Sequence, residues 1–210
     1  MPSNESEMKS SRLEAFSDGV IAVIITIMVL ELHVPHQNGL AGLWSVAPRL
    51  GIYLLSFLMV GIYWINHHEL IRRTELVDYW VLWSNLIFLF VLSLIPYFVE
   101  YLDEKAFDTF STILYNCTML AAGLAFFCLR WAVMRVQWRS GSLQHRDESE
   151  LWKHGVSLAL YLLSIAIAFY RPWLSLAITA LVTLVWIVPE VGVKPHEDDE
   201  PAALRAKRLE

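Results

Sequence analysis

Charged residues are scarce in this sequence, with Asp, Glu, Lys and Arg together making up 18% of the chain. Ordinary soluble domains carry roughly 25%. The basic residues do not cluster into the face that a nucleic-acid-binding protein needs, so that class of function is not indicated. Hydrophobic residues, by contrast, make up 56% of the chain. This balance is typical of a membrane protein that crosses the bilayer several times and keeps its charges in loops and tails.

Cysteine and catalytic motifs are also nearly absent. The two cysteines, Cys117 and Cys128, lie within an apolar segment, where we expect buried thiols and no disulfide framework. The sequence lacks GxSxG, HExxH, a glycine-rich phosphate loop and paired intramembrane carboxylates, so we expect neither an enzyme nor a cofactor. It also lacks a TVGYG-like filter of backbone carbonyls.

Long apolar runs separated by polar or proline-containing loops predict an all-α, polytopic membrane protein with six transmembrane helices. Pro96 predicts a kink near the far end of the third helix. The predicted spans cover residues 10–33, 44–71, 77–101, 109–136, 151–170 and 173–191, with polar tails at 1–9 and 192–210.

The distribution of basic residues predicts the orientation. Six crossings place both termini on one side of the membrane. Of the 16 Lys and Arg residues, only Arg49, Lys105 and Arg171 fall on the opposite side, which leaves 13 on the side of the termini. Because cytoplasmic loops carry an excess of Lys and Arg, we expect both termini in the cytoplasm.

The first helix has an unusually short apolar run. Gly19–Leu30 carries no charge, and Thr26 is its only hydroxyl-bearing residue. These 12 residues span only about 18 Å at about 1.5 Å each, whereas the hydrocarbon core is about 30 Å thick. The flanking carboxylates, Asp18 and Glu31, are therefore expected at membrane depth, surrounded by protein or water. We expect this helix inside an assembly and close to a water path.

Four residues of this helix share one face. On a helical wheel, Val23, Thr26, Ile27 and Leu30 fall within an arc of about 100°, and Asp18 lies nearly opposite. One interpretation is a pore stripe of apolar rings interrupted by a hydroxyl ring. The other is an ordinary buried membrane helix, which is the commoner source of such a pattern.

Polar residues at similar depth predict a cluster between the first two helices. Arg12, Ser17 and Asp18 begin the first helix, while Asn66, His67 and His68, with Trp64 just above, end the second. Adjacent residues point about 100° apart on a helix, so His67-His68-Glu69 does not predict a metal site.

Two further functions stay open at this stage. A small proton- or cation-coupled carrier would use Asp18 with His67 or His68, and a membrane scaffold would transport nothing. A carrier usually shows internal repeats and broken helices. We find neither a repeat between residues 10–100 and 101–191 nor a Gly or Pro break midway along the first span.

The segment Arg12-Leu13-Glu14-Ala15-Phe16-Ser17-Asp18-Gly19, at the head of an apolar span, resembles the RxxxFSD signature of the transmembrane protein 175 family of potassium channels. The six-span layout and the Trp-rich second span ending in histidines extend the resemblance over residues 10–191.

The resemblance implies a single-repeat prokaryotic channel in the plasma membrane, a homotetramer in which the first helices line a central pore. Potassium, with other monovalent cations, would be the permeant, and the partners would be further copies of the chain and the bilayer. Val23, Thr26 and Leu30 match the pore layers, with Ile27 on the same arc. Val23 stands where relatives often have a larger Ile or Leu. The signature residues implied to hold the pore helix in place are Arg12, Phe16, Ser17 and Asp18. The cluster predicted from membrane depth adds Trp64, Asn66, His67 and His68 as anchoring residues.

Overall fold

The computed structural model describes residues 10–35, 37–72, 74, 77–140 and 148–187, the side chains of 148–151 excepted. These residues form helices joined by turns and loops, without a strand, so the predicted all-α fold is confirmed. The predicted tails, 1–9 and 192–210, lie outside the described residues. The helices are α1 (Ser10–Leu30), α2 (Gly39–Ser45), α3 (Ala47–Arg72), α4 (Tyr79–Ser93), α5 (Ile95–Glu104), α6 (Thr109–Ser140), α7 (Glu148–Ala168) and α8 (Pro172–Ile187).

Among the described residues, four stretches are long and apolar enough to cross a bilayer. They are α1, α3, α6 and the segment Tyr79–Glu104, which comprises both α4 and α5. The last two helices, α7 and α8, offer shorter apolar stretches. The described helices follow the order of the predicted spans. Several helix ends differ from the predicted ones by up to four residues, the predicted end of the sixth span, 188–191, lies outside the described residues, and two predicted helices need a larger correction.

The third predicted helix, 77–101, is two helices that meet at Leu94. Pro96 lies in the first turn of α5. Its ring would clash with the carbonyl of Leu92 in a continuous helix, and it has no N–H to donate. The chain turns instead at Leu94, whose N–H donates to the carbonyl of Val91 at 3.2 Å. The predicted kink is therefore a break in the helix.

The second predicted helix begins later than residue 44. Residues 39–45 form the separate helix α2. The backbone leaves the helical conformation at Val46 before α3 begins. Pro48 explains the break, because it cannot donate to the carbonyl of Trp44 and its ring crowds that position. Within the first turn of α3 the same proline is tolerated.

The helix α6 forms the centre of the subunit, while α1 lies at its margin. α6 packs against α3, α4, α5, α7 and α8, whereas α1 packs against α3, α4 and α5. In the most apolar stretch of α6 56% of the residues are buried, against 28% in that of α1. The position of α1 leaves one side of this helix uncovered by its own chain.

Buried hydroxyl and amide groups tie the hairpin of α7 and α8 to α6. Asn116 Nδ2 donates to Ser175 Oγ at 2.8 Å, and Thr179 Oγ1 donates to Asn116 Oδ1 at 2.6 Å. Ser164 Oγ of α7 donates to the carbonyl of Ser175 at 2.8 Å. All four side chains are fully buried. Such interhelical hydrogen bonds hold membrane helices together without help from the hydrophobic effect.

The prediction of buried thiols is wrong, since Cys117 and Cys128 are both exposed on the surface of α6. A membrane-facing surface is as apolar as the interior, so an apolar segment does not distinguish its two sides.

Asp108 caps α6, and its removal is expected to lower the free energy of unfolding by about 1 kcal/mol at pH 7. Its Oδ1 accepts from the backbone N–H of Ser111 at 2.7 Å. Hydrogen bonding from the Ser111 side chain, and then from its backbone, holds the pKa of Asp108 below its ordinary value of 3.8. A carboxyl with a lowered pKa stabilises the fold above its ordinary pKa and loses that effect as the pH falls through its folded-state pKa.

Thermal unfolding of Asp108→Ala and wild type should therefore differ most at neutral pH and converge at strongly acidic pH. The control is Asp108→Asn, which keeps an oxygen that can cap the helix and should lose only part of the stability. An Asn variant as unstable as the Ala variant would contradict the capping role.

Candidate functional site

The uncovered side of α1 carries every residue of the predicted pore stripe. Val23 and Leu30 are 54% and 76% exposed, and Thr26 and Ile27 are exposed between them. Phe16 and Gly19 continue the same side towards the N-terminal end of the helix. We call these six residues the outer face of α1. The hydroxyl of Thr26 donates to the carbonyl of Val23 at 2.9 Å, so its oxygen keeps acceptor capacity towards the open side.

The opposite side of α1 is buried against its own subunit. Its side chains pack towards α3 and α4 with a helical spacing, and none of them is more than 6% exposed. They are Leu13, Ser17, Ile21, Ile24 and Met28. The helix is thus divided into one side fixed by its neighbours and one side that is free.

A buried chain of hydrogen bonds, which we call the anchoring network, joins α1 to α3 and α4. Asn85 Nδ2 donates to Ser17 Oγ at 2.9 Å, and Asn85 Oδ1 lies 2.7 Å from His67 Nε2. The three side chains are at most 1% exposed. His67 Nδ1 is buried without a hydrogen-bond partner among the described residues. The proton of the neutral ring therefore belongs on Nε2, where Asn85 accepts it.

A second set of contacts joins the flank of α1 to α3. Trp64 Nε1 donates to Asp18 Oδ1 at 2.8 Å, and His68 Nδ1 lies 2.9 Å from Glu14 Oε1. The rings of Trp64 and His68 are neighbours, with centroids 5.8 Å apart. Both carboxylates thus meet α3 on the same flank of α1, one turn apart.

An open groove of about 650 Å³ runs beside the outer face, between α1 and the pair α4 and α5. Val23 and Ile27 line it from α1, and Tyr97 lines it from α5. Glu31 and Glu100 also face this groove and are half-buried. Asp18 and Glu31, the two carboxylates that flank the short apolar run, are therefore both partly surrounded by protein.

The structure brings together most, but not all, of the residues predicted to anchor α1. Ser17, Asp18, Trp64, His67 and His68 lie in the two sets of contacts described above. The three others lie apart. Arg12 is exposed and makes no hydrogen bond or ion pair with the described residues, Phe16 lies on the outer face, and Asn66 donates to the carbonyl of Ile62 in its own helix.

Two residues of the site were not predicted as part of it. Asn85 is the centre of the anchoring network, although nothing in its local sequence relates it to Ser17. Glu14 could have been predicted as part of the site, because it lies four residues before Asp18 and therefore shares one side of α1 with it.

Comparison with known proteins relates most of the chain to one family. The sequence profile of the family described as the endosomal/lysosomal potassium channel TMEM175 matches residues 12–96, beginning at the first signature residue. A protein named as a potassium channel in Chryseobacterium sp. (strain P1-3) is 38% identical over 187 residues, which cover 89% of this chain and 97% of that protein. The chain belongs to the TMEM175 family. The resemblance seen in the signature segment is thereby confirmed.

Further TMEM175 similarities extend beyond the profile match. A protein named as a potassium channel in Streptomyces collinus is 33% identical over 208 residues, covering 92% of this chain and 99% of that protein. The crystal structure of a lysosomal potassium-selective channel TMEM175 homologue from Chamaesiphon minutus superposes with a TM-score of 0.73 at 25% identity. It covers 84% of this chain and 95% of the other. The TMEM175 fold therefore accounts for most of the described helices.

Proposed function

We propose that this TMEM175-family chain is a potassium-permeable channel in which the outer face of α1 lines the pore. The observation that carries the proposal is the division of α1 into a firmly held side and an uncovered side. The uncovered side holds a regular apolar stripe with one hydroxyl, the kind of surface from which repeated copies build apolar rings around a water path, and an open groove lies beside it. The names of the relatives from Chryseobacterium and Streptomyces support the same activity.

The pore itself is formed by four copies of the chain. A single α1 at the margin of a subunit cannot enclose a water path, whereas a closed cyclic assembly gives each copy the same neighbours. Four copies of Val23, Ile27 and Leu30 make apolar rings, and four copies of Thr26 make a hydroxyl ring between them. Narrow apolar rings close a water path by dewetting, without a steric plug. Potassium would cross them partly dehydrated.

The same proposal gives the topology and the roles of the remaining residues. The shorter helices α7 and α8 complete six crossings. α8 spans about 24 Å at about 1.5 Å per residue, which is less than the hydrocarbon core of about 30 Å. Local thinning of the bilayer accommodates the difference. Both termini lie on the cytoplasmic side of a prokaryotic plasma membrane. The anchoring network and the Trp64–Asp18 contact hold α1 in place and do not touch the ion. The protein has no enzymatic role and needs no cofactor.

The carrier alternative finds no support in the geometry. It requires Asp18 to exchange protons or cations together with His67 or His68. Asp18 accepts from Trp64, and His67 is bonded to Asn85 within a fully buried network. These partners give the two side chains a fixed, structural environment.

The proposal is tested by reconstituting the purified protein in liposomes loaded with potassium and measuring flux down the gradient. We expect fast, electrogenic efflux that rises with the gradient without saturating and speeds up when a protonophore supplies the compensating inward charge. Protein-free liposomes and a gradient of a large organic cation are the controls. Electroneutral efflux that is coupled one-for-one to protons and does not respond to the protonophore would overturn the proposal. So would the absence of efflux from protein that forms a tetramer.

A further inference from the structure

The N-terminal end of α1 holds three side chains with metal-ligating atoms facing one another. A carboxylate oxygen of Glu14, a carboxylate oxygen of Asp18 and a ring nitrogen of His68 all lie within 4.8 Å of one another. Glu14 and Asp18 come from successive turns of α1, and His68 comes from α3 across the helix interface. Each of the three residues is half-buried. The pore proposal assigns Asp18 and His68 a holding role only and gives Glu14 none.

The ring nitrogen of His68 is the atom that makes this cluster more than a pair of carboxylates. His68 Nδ1 is buried, yet it forms no aligned hydrogen bond with any described group. Glu14 Oε1 lies 2.9 Å away, within ion-pair distance of a protonated imidazole, but the two atoms are not aligned as a hydrogen bond. A buried nitrogen without a hydrogen bond calls for a specific explanation. A lone pair directed at a shared cation provides one.

The distances suit a small, tetrahedrally coordinated ion. Ligand atoms about 2.0–2.1 Å from such an ion lie about 3.3 Å from each other. The ligand atoms of Glu14, Asp18 and His68 lie within 4.8 Å of one another, so each pair must approach by at most about 1.5 Å to reach that separation. Spacing two ligands four residues apart on a helix is the arrangement that places both on one side of it.

The groups around the cluster favour the same use. Trp64 Nε1 donates to Asp18 Oδ1 at 2.8 Å, which fixes the carboxylate and leaves its second oxygen available. Partners of this kind orient ligands in known metal sites. One imidazole nitrogen and two carboxylates suit zinc and related transition metals. Calcium prefers six to eight oxygen ligands, which this cluster does not offer.

We propose that Glu14, Asp18 and His68 bind a zinc-class divalent metal ion, with water completing the coordination. The ion would bridge the N-terminal end of α1 to α3. Its effect on ion flux rests on the proposed function, because a bridged pore helix would move less. Binding itself does not depend on whether the chain conducts.

The test is calorimetric titration of Zn²⁺ into tag-free, full-length protein in detergent. We expect one site per chain, and an affinity at least about tenfold weaker in Glu14→Gln and in His68→Gln, since even changes around metal ligands cost that much. Glu69→Gln and His33→Gln make the same chemical changes outside the cluster and should stay within about twofold of wild type. Equal loss in the controls, or no saturable binding, would overturn the proposal.

A second measurement does not depend on the variants folding. X-ray absorption at the zinc edge of the loaded wild-type protein should show one imidazole and carboxylate or water oxygens at about 2.0–2.1 Å. A spectrum with several imidazoles, or with none, would contradict this site. Potassium flux measured with and without Zn²⁺ then tests separately whether the bound ion regulates the channel. Zinc binding by a protein that does not conduct would contradict the channel proposal but not the metal site.

Discussion

Replacing Asn85 with alanine is expected to lower the free energy of unfolding by about 2–3 kcal/mol. Asn85 is the shared partner of Ser17 and His67, which lie on two other helices. Ser17 would lose little, because its hydroxyl still donates to the carbonyl of Leu13 at 2.8 Å. His67 would keep a buried N–H without an acceptor. An orphaned buried donor of this kind costs about 1–3 kcal/mol, and the cavity left by the missing amide adds to it.

A smaller effect would follow if Asn85 were an average polar residue in a membrane protein. Interhelical hydrogen bonds in one well-studied membrane protein average only about 0.6 kcal/mol, because the unfolded reference state finds other partners. The anchoring network differs in that its members are at most 1% exposed. Water therefore cannot replace the lost acceptor in the folded state, which favours the larger value.

The measurement is thermal unfolding of the purified protein in detergent, where the variant should melt about 5–10 °C below wild type. The matched control is Asn66→Ala. Asn66 is an asparagine of similar depth, but it donates only to the carbonyl of Ile62 in its own helix, so its loss should cost less than about 1 kcal/mol. Equal melting temperatures for the two variants would show that the anchoring network does not hold α1.

Much of the fold could be predicted because helix formation in a membrane is governed by local sequence. Apolar runs mark the helices, and Pro48 and Pro96 mark where they are interrupted. The positions of the breaks were harder to predict than their existence. A proline in a first turn and a proline in a helix interior look alike in sequence, and the difference between a kink and a break depends on the preceding turn.

Which side of each helix faces inwards could not be predicted from hydropathy alone. The exposed thiols of Cys117 and Cys128 illustrate this, since lipid and protein interior are equally apolar. The outer face of α1 was recognised as a stripe by its spacing, yet the same spacing fits a buried helix. Only the packing of α1 at the margin of the subunit shows that the chain leaves this stripe uncovered.

The contacts of the anchoring network lay beyond sequence reasoning for a different reason. Ser17 and Asn85 are 68 residues apart, and their pairing depends on how α4 is placed against α1. Depth in the membrane predicted that Ser17, Asp18 and the end of α3 would meet. It could not distinguish Asn66 from Asn85 as the partner of His67, because that choice depends on which side of each helix is turned towards the others.

Replacing Val23 with asparagine is expected to raise potassium flux through the reconstituted protein at least about tenfold. The substitution places four amide groups in a ring that, in the proposed pore, excludes water by its apolar surface. Water bound to the amides keeps the path wet and spares the ion part of its dehydration. A barrier lowered by only about 1.4 kcal/mol gives a tenfold faster passage, and four side chains share that change. Leu30→Asn should act in the same direction at the last apolar ring of the stripe.

Thr26→Val is the variant that separates this explanation from general damage. It keeps the size of the side chain and removes the hydroxyl, so flux should fall while Val23→Asn makes it rise. Damage to the fold would lower flux in both. Leu163→Asn is the control for an added amide, because Leu163 is exposed to a similar extent on α7, away from α1. Its flux should match wild type. If Val23→Asn, Thr26→Val and Leu163→Asn all conduct alike, the outer face of α1 does not lie on the ion path, and the pore must be sought along another helix.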